Sequence, residues 1–246
     1  ENTKEHLLEV GPGILQGQDP GTANPLIGKA IPEQAVWDCL TCGACEQECP
    51  VGVEHIDSIV DMRRHLVMEQ AKMPDSAANA LMSMEQRGHP WRGTQYSRTD
   101  WAEGLEVRTL AEHPDADVLF WVGCTAALEQ RSRSVARSMA SVLKRAGVDF
   151  AILGDEEVCT GDPARRMGNE YLYQTLAQQN IETFRRYNIK RVVTTCPHCF
   201  NTIKNEYPHL GGEFEVQHYS EFVADLIEQG KIRPVVTVDA TVAYHD

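Results

Sequence analysis

Eight cysteines are the residues of this 246-residue chain best suited to chemistry, and they fall into two groups. Cys39, Cys42, Cys45 and Cys49, followed by Pro50, have the C-x2-C-x2-C-x3-C-P spacing by which bacterial ferredoxins ligate iron. Two-residue gaps let three successive thiolates converge on one face of a cubane. Gly43 gives the backbone freedom to wrap closely, and Pro50 ends the turn. In proteins with two such runs the fourth cysteine serves the other cluster. One run is present here, so either Cys49 completes a single 4Fe-4S centre or a companion run precedes Glu1. The first residue is not Met and the lead-in is loose, so the companion run is the expectation and the chain is read as a fragment. A tetrahedral zinc ion is the bland alternative, but zinc sites usually use two separated pairs.

The second group, Cys124, Cys159, Cys196 and Cys199, is spread along the chain, and its members must be brought together by the fold. Each follows a short apolar run or opens the helical pattern after it. Asp162-Pro163 and Cys196-Pro197 both read as a cap followed by proline at the first helical position, which would point positive helix ends at the thiols. Such a field suits an anionic metal centre or a reactive thiol pair equally.

The elements that must do the positioning change character along the chain. Residues 11 to 33 are dense in Gly and Pro and read as an extended lead-in. Ile56, Ile59, Val60, Met62 and Leu66 recur at helical spacing, and Pro74 opens a second helix ended by Gly88 and Pro90. Residues 89 to 104, with Trp91 and Trp101, read as an ordered linker packed on the helical part. Beyond it, apolar runs at 118–122, 148–153, 191–195, 214–218 and 235–244 alternate with helical patterns at 130–147, 165–187, 198–207 and 221–229. Alternation of this kind implies a parallel sheet covered on both faces. In such sheets the carboxyl ends of the strands line one crevice, where sites are built. The expected fold is α+β overall: a lead-in over 1–32, a helical ferredoxin-like domain over 33–105, and an α/β domain over 106–246.

With these residues in view the chain resembles a known family. Cys124, Cys159-Thr160-Gly161 after 34 intervening residues, and Cys196-Pro197-His198-Cys199 after 36 more resemble the cysteine-rich "CCG" domain of heterodisulfide-reductase-like proteins. That family includes the iron-sulfur subunits of glycolate oxidase and anaerobic glycerol-3-phosphate dehydrogenase. Trp37-Asp38-Cys39-Leu40-Thr41-Cys42-Gly43-Ala44-Cys45 and Gly161-Asp162-Pro163-Ala164-Arg165-Arg166 are similar to the iron-sulfur oxidoreductases associated with electron-transfer flavoproteins and respiratory membranes. The resemblance runs from residue 33 to residue 246. It implies an earlier cysteine run, often with a membrane segment, before the matched region and a second CCG repeat after it. One departure stands out: the fullest family motif has adjacent cysteines where this chain has Cys159-Thr160. Thr160 cannot supply a bridging thiolate, so a noncubane centre is not expected. A 4Fe-4S cubane, disulfide exchange, or no bound group remain open for Cys124, Cys159, Cys196 and Cys199.

A net charge of −13 argues against nucleic acid as a partner. No apolar stretch reaches the roughly 18 to 20 residues a membrane helix needs. The expected place is therefore the cytoplasm, with attachment to the membrane through a missing segment or a partner. No glycine-rich phosphate loop follows a strand, and no Ser-His-Asp arrangement is evident. The resemblance implies an oxidoreductase subunit relaying electrons from a flavoprotein, such as an electron-transfer flavoprotein, to a quinone or a thiol-disulfide acceptor, beside a membrane subunit. Direct disulfide reduction at the second cysteine group and a non-redox zinc-stabilised interaction module are the alternatives.

Overall fold

The architecture follows from a change in the hydrophobic period, from helical in the first third of the chain to alternating strand and helix in the rest. The computed structural model describes residues 2–17 and 25–243. It divides into two compact units, Glu1–Gln86 with Gly161–Gln174, and Arg87–Thr160 with Thr175–Asp246.

The first unit is helical. Asn2–Leu15 forms a helix that contains Pro12, so the first part of the lead-in is not extended as its Gly and Pro content suggests. Glu33–Asp38, Ala44–Gln47, Ile56–Arg64 and Asp75–Arg87 follow, and Val36, Val60, Leu66, Leu81 and Met84 are buried. Arg63, also buried, holds the unit together through backbone carbonyls. Its guanidinium donates to Val36 O at 2.8 and 3.1 Å, to Cys39 O at 2.5 Å and to Arg166 O at 2.9 Å. One helix expected over 165–187 is in fact two, Asp162–Arg166 and Glu170–Arg186, broken at Gly168. Gly168 has φ +86°, and a Cβ there would lie 2.4 Å from the backbone carbon of Arg63. Close backbone approach, which side-chain periodicity does not report, therefore sets the break.

The second unit carries a four-stranded sheet in the order β2-β1-β3-β4, with β1 Val118–Trp121, β2 Phe150–Ala151, β3 Arg191–Thr194 and β4 Glu215–His218. Every pairing is parallel: Leu119 is in register with Ala151 and Val192, and Val193 with Gln217. All four residues of β1 are buried, as expected for a central parallel strand. Arg133–Arg145 packs Ala136, Met139, Ala140 and Leu143 onto one face, together with Phe120 and Phe150.

Two expectations need correction here. Trp101 belongs to this core, packed edge-on against Phe120 with ring centroids 6.0 Å apart, and not to the helical part. The fifth strand expected over 235–244 does not form over 235–243, and Tyr244 lies outside the described residues. Val235, Val236, Val238 and Val242 are each more than three-quarters exposed. An apolar run becomes a strand only where a neighbouring strand accepts its hydrogen bonds, and no described segment pairs with this one.

Candidate functional site

The chain leaves β1 for β2 on one side and later places β3 on the other side of β1. The strand order thus reverses between β1 and β3, and it is beyond the carboxyl ends of strands at such a switch point that sites are built in parallel sheets. Cys124 opens the helix Cys124–Leu128 just beyond β1. Cys196 precedes Pro197–Asn201 just beyond β3, with Cys199 one turn into that helix. Cys159 is brought to the same place by a buried polar frame: its N–H donates to Gly88 O at 2.7 Å, and its carbonyl accepts from Asn180 Nδ2 at 3.0 Å. Asn180 Nδ2 also donates to the Tyr207 hydroxyl, which donates onward to Thr160 O at 3.1 Å. Asn180 and Tyr207 are fully buried, so the Cys159-Thr160 turn is fixed from inside the fold.

The four cysteines spread along the chain thereby act on one another. Cys124 and Cys159 are hydrogen-bonded, Cys196 and Cys199 likewise, and Cys199 feels the charges of the other three. None of the eight cysteines forms a disulfide. The hydrogen bond from Cys159, with help from the Arg98 guanidinium and against the effect of burial, lowers the Cys124 thiol below its ordinary range. The hydrogen bond from Cys199 lowers Cys196 to about 6, with further help from the backbone and charge of His198. Cys199 is raised, because it donates to Cys196 and is buried.

Arg98 and Glu157 form a buried ion pair beside Cys124. Arg98 Nη1 meets Glu157 Oε1 at 3.0 Å, and Arg98 Nη2 reaches Cys124 Sγ at 3.3 Å and Gly88 O at 3.2 Å. The Glu157 oxygens accept from Val122 N at 3.0 Å and Gly123 N at 2.9 Å. Burial pushes the Glu157 carboxyl up to about 7, against the pull of Arg98 and these N–H groups. The guanidinium and the two N–H groups are all donors, and they oppose the upward push of burial. Neither residue stands out in the sequence: Arg98 sits in the segment read as linker, and Glu157 looks like half of an acidic surface pair. The only signal was the position of Glu157 two residues before a candidate ligand.

Two further features bear on what the four cysteines could hold. Gly123 has φ +79°, and a Cβ there would sit 3.5 Å from Cys199 Sγ, 3.8 Å from Cys196 Cβ and 3.9 Å from Trp121 Nε1, so a side chain would enter the space between the thiols. Trp121 is fully buried and its indole N–H has no hydrogen-bond partner among the described residues. A thiolate set, an open glycine and an unspent N–H donor fit a sulfide-bearing iron centre. Among the described residues no three His, Cys, Asp or Glu side chains are grouped as a site for a single metal ion.

The first cysteine group lies in one loop of the helical unit. Cys39 follows Glu33–Asp38, Cys45 lies in Ala44–Gln47, and Gly43 precedes that helix in the left-handed region at φ +79°. Backbone N–H groups already face the sulfurs: Thr41 N to Cys39 Sγ at 3.4 Å and Val53 N to Cys49 Sγ at 3.3 Å. The N–H groups of Val53 and Val51 hold the Cys49 thiol below its ordinary value. His55 Nε2 lies 2.9 Å from Cys45 Sγ, and Glu46 Oε1 accepts from His55 N and Ile56 N at 2.6 Å, closing the loop onto the next helix. N–H donors turned toward thiol sulfurs fit ligands of an iron-sulfur cluster. Cys42 and Cys45 are exposed.

Residues 118–204 match the family described as a cysteine-rich domain and designated CCG. The whole chain is 37% identical to an EtfAB:quinone oxidoreductase of Syntrophomonas wolfei, of which it spans 38%. Over 91% of its length it is 43% identical to a probable iron-sulfur-binding oxidoreductase, FadF, of Bacillus subtilis, spanning 33% of that protein. Over 86% it is 34% identical to one subunit of the dihydromethanophenazine:CoB–CoM heterodisulfide reductase of Methanosarcina mazei, spanning 52% of it. The chain thus spans from one third to about one half of the length of these relatives. No solved structure matches it. Among the described residues no helix is long and apolar enough to cross a membrane.

Proposed function

We propose that this chain is the electron-relaying part of an iron-sulfur oxidoreductase, passing electrons from a flavoprotein of the electron-transfer kind to a quinone or a thiol-disulfide acceptor. The observation that carries the reading is the meeting of Cys124, Cys159, Cys196 and Cys199 at the sheet's switch point, beside Gly123 and a buried indole N–H without a partner among the described residues. The similarity to an EtfAB:quinone oxidoreductase and to a heterodisulfide reductase component supports the two kinds of acceptor. Cys39, Cys42, Cys45 and Cys49 would hold one 4Fe-4S cluster, or share two with an upstream run, and the second group would hold a further centre. A thiolate-bound cluster takes up and releases one electron at a time, at a potential set by burial, net charge and hydrogen bonds to sulfur. The chain's own residues orient the thiolates and supply those hydrogen bonds. A cytoplasmic position, with the membrane reached through a partner or a further segment, accords with this role.

The test is iron and sulfide quantitation on protein prepared without oxygen, comparing wild type with Cys196→Ser. A fall in iron on substitution is the expected outcome; unchanged iron removes the second centre. The pairing of a lowered Cys196 with a raised Cys199 favours a second reading, direct disulfide exchange at this site. Under that reading, protein free of iron would still reduce a small disulfide at a rate abolished by Cys196→Ser.

A further inference from the structure

Charged side chains are rarely buried without cause, and replacing a buried ion pair with apolar residues is often neutral or stabilising. The Arg98–Glu157 pair, with side chains 9% and 2% exposed, therefore calls for an explanation beyond stability. The two charges are not placed symmetrically about the thiols. The carboxylate is turned to the backbone N–H groups of Val122 and Gly123, whereas the guanidinium is turned to sulfur, with Nη2 at 3.3 Å from Cys124 Sγ. That same Nη2 donates to Gly88 O, which accepts the N–H of Cys159. One guanidinium thus links the turns that carry Cys124 and Cys159, and Glu157 fixes its orientation.

We infer that Arg98, clamped by Glu157, is a potential-setting positioning residue of the second cysteine site: its N–H···S bond and its charge at Cys124 raise the midpoint potential of the centre held there. The inference rests on the proposed iron-sulfur reading. On reduction a thiolate-bound centre gains negative charge, and a fixed cation with an N–H aimed at a ligand sulfur stabilises that form over the oxidised one. Glu157 acts at one remove, by keeping the guanidinium fork aimed at sulfur and by compensating its charge so that it stays buried. A pair serving the fold alone has no need to spend a donor on sulfur, a weak acceptor.

The experiment is an EPR-monitored redox titration, with iron quantitation, of anaerobically prepared wild type, Arg98→Gln, Arg98→Lys and the double variant Arg98→Met/Glu157→Gln. The signal followed is the one that Cys196→Ser abolishes. Arg98→Gln is expected to keep the iron and move that midpoint to a more negative value, with Arg98→Lys in between. The signals that persist in Cys196→Ser should not move. The double variant removes both charges together and leaves neither buried alone, so it tests the same shift where a single variant folds poorly. An unmoved midpoint in any folded, iron-loaded variant lacking the guanidinium overturns the inference and leaves the iron-sulfur reading intact. Loss of fold in all three variants assigns the pair a purely structural role and overturns it as well. If Cys196→Ser abolishes no signal and releases no iron, both the inference and the reading beneath it fall.

Discussion

Cys196 and Cys199 lie three positions apart on one helical turn, yet their thiols are pushed in opposite directions. Cys196 accepts a hydrogen bond from Cys199 and is lowered to about 6, while Cys199 donates and is raised. Because the folded-state value of Cys196 lies below the ordinary thiol value of 9.0, its thiolate forms as pH rises through about 6 and is lost below it. In the reduced, iron-free chain, alkylation at Cys196 should therefore climb between pH 5 and 7 and flatten by pH 8, about three units below an ordinary thiol. Cys199 should stay slow throughout. Peptide mapping of alkylated protein against pH checks both statements, and an ordinary profile at Cys196 would contradict them. Gly123 makes a second residue-scale case. With φ 79° and ψ 159° it occupies a region that is essentially glycine-only. Gly123→Ala should cost roughly 1–3 kcal/mol by denaturant unfolding. It should also lower iron retention at the second site, because the new methyl enters the space between the thiols and Trp121.

At the scale of elements, short helices are held in place by backbone contacts more than by their own length. Asp162–Arg166 has five residues and is fastened by Arg63 Nη1 to Arg166 O at 2.9 Å. Gly168 lies directly against the Arg63 backbone, and Gly161, at φ +89°, lies against Tyr173, whose Cδ2 would be 2.8 Å from an added Cβ. Gly168→Ala should accordingly cost on the order of 3 kcal/mol, since backbone atoms cannot yield as a flexible side chain can. Gly11→Ala, at a position where nothing lies within 4 Å of the new methyl, is the control and should change stability little. Thermal unfolding of the two variants side by side makes the comparison. Arg63→Lys should also destabilise strongly, because an ammonium cannot serve the carbonyls of Val36, Cys39 and Arg166 in one plane.

At the scale of the whole molecule, the two cysteine groups belong to different compact units, Cys39 to Cys49 to one and Cys124, Cys159, Cys196 and Cys199 to the other. Loading of one group should then be independent of ligands in the other. Cys42→Ser should lower iron at the first group while leaving the signal that Cys196→Ser abolishes, and the reciprocal substitution should do the converse. Simultaneous loss of both signals from either single substitution would argue for one shared centre. The net charge of −13 further suggests that a redox partner docks through basic residues, so electron-transfer rates should fall as salt is raised.

The first group stands out in the sequence because its four cysteines lie within eleven residues, a spacing that needs no tertiary structure to be read. The four strands were legible from apolar runs, and the convergence of Cys124, Cys159, Cys196 and Cys199 from the rule that parallel strands end at one edge. What required the tertiary structure were contacts between residues far apart in the chain. Arg98 and Glu157 are separated by 59 positions, and Asn180 and Tyr207 by 27. No periodicity encodes such polar partners, since each looks like a surface residue until the fold buries it beside its mate. The run over 235–243 shows the same limit from the other side: sequence supplies the apolar pattern of a strand, but only a neighbouring strand makes it one.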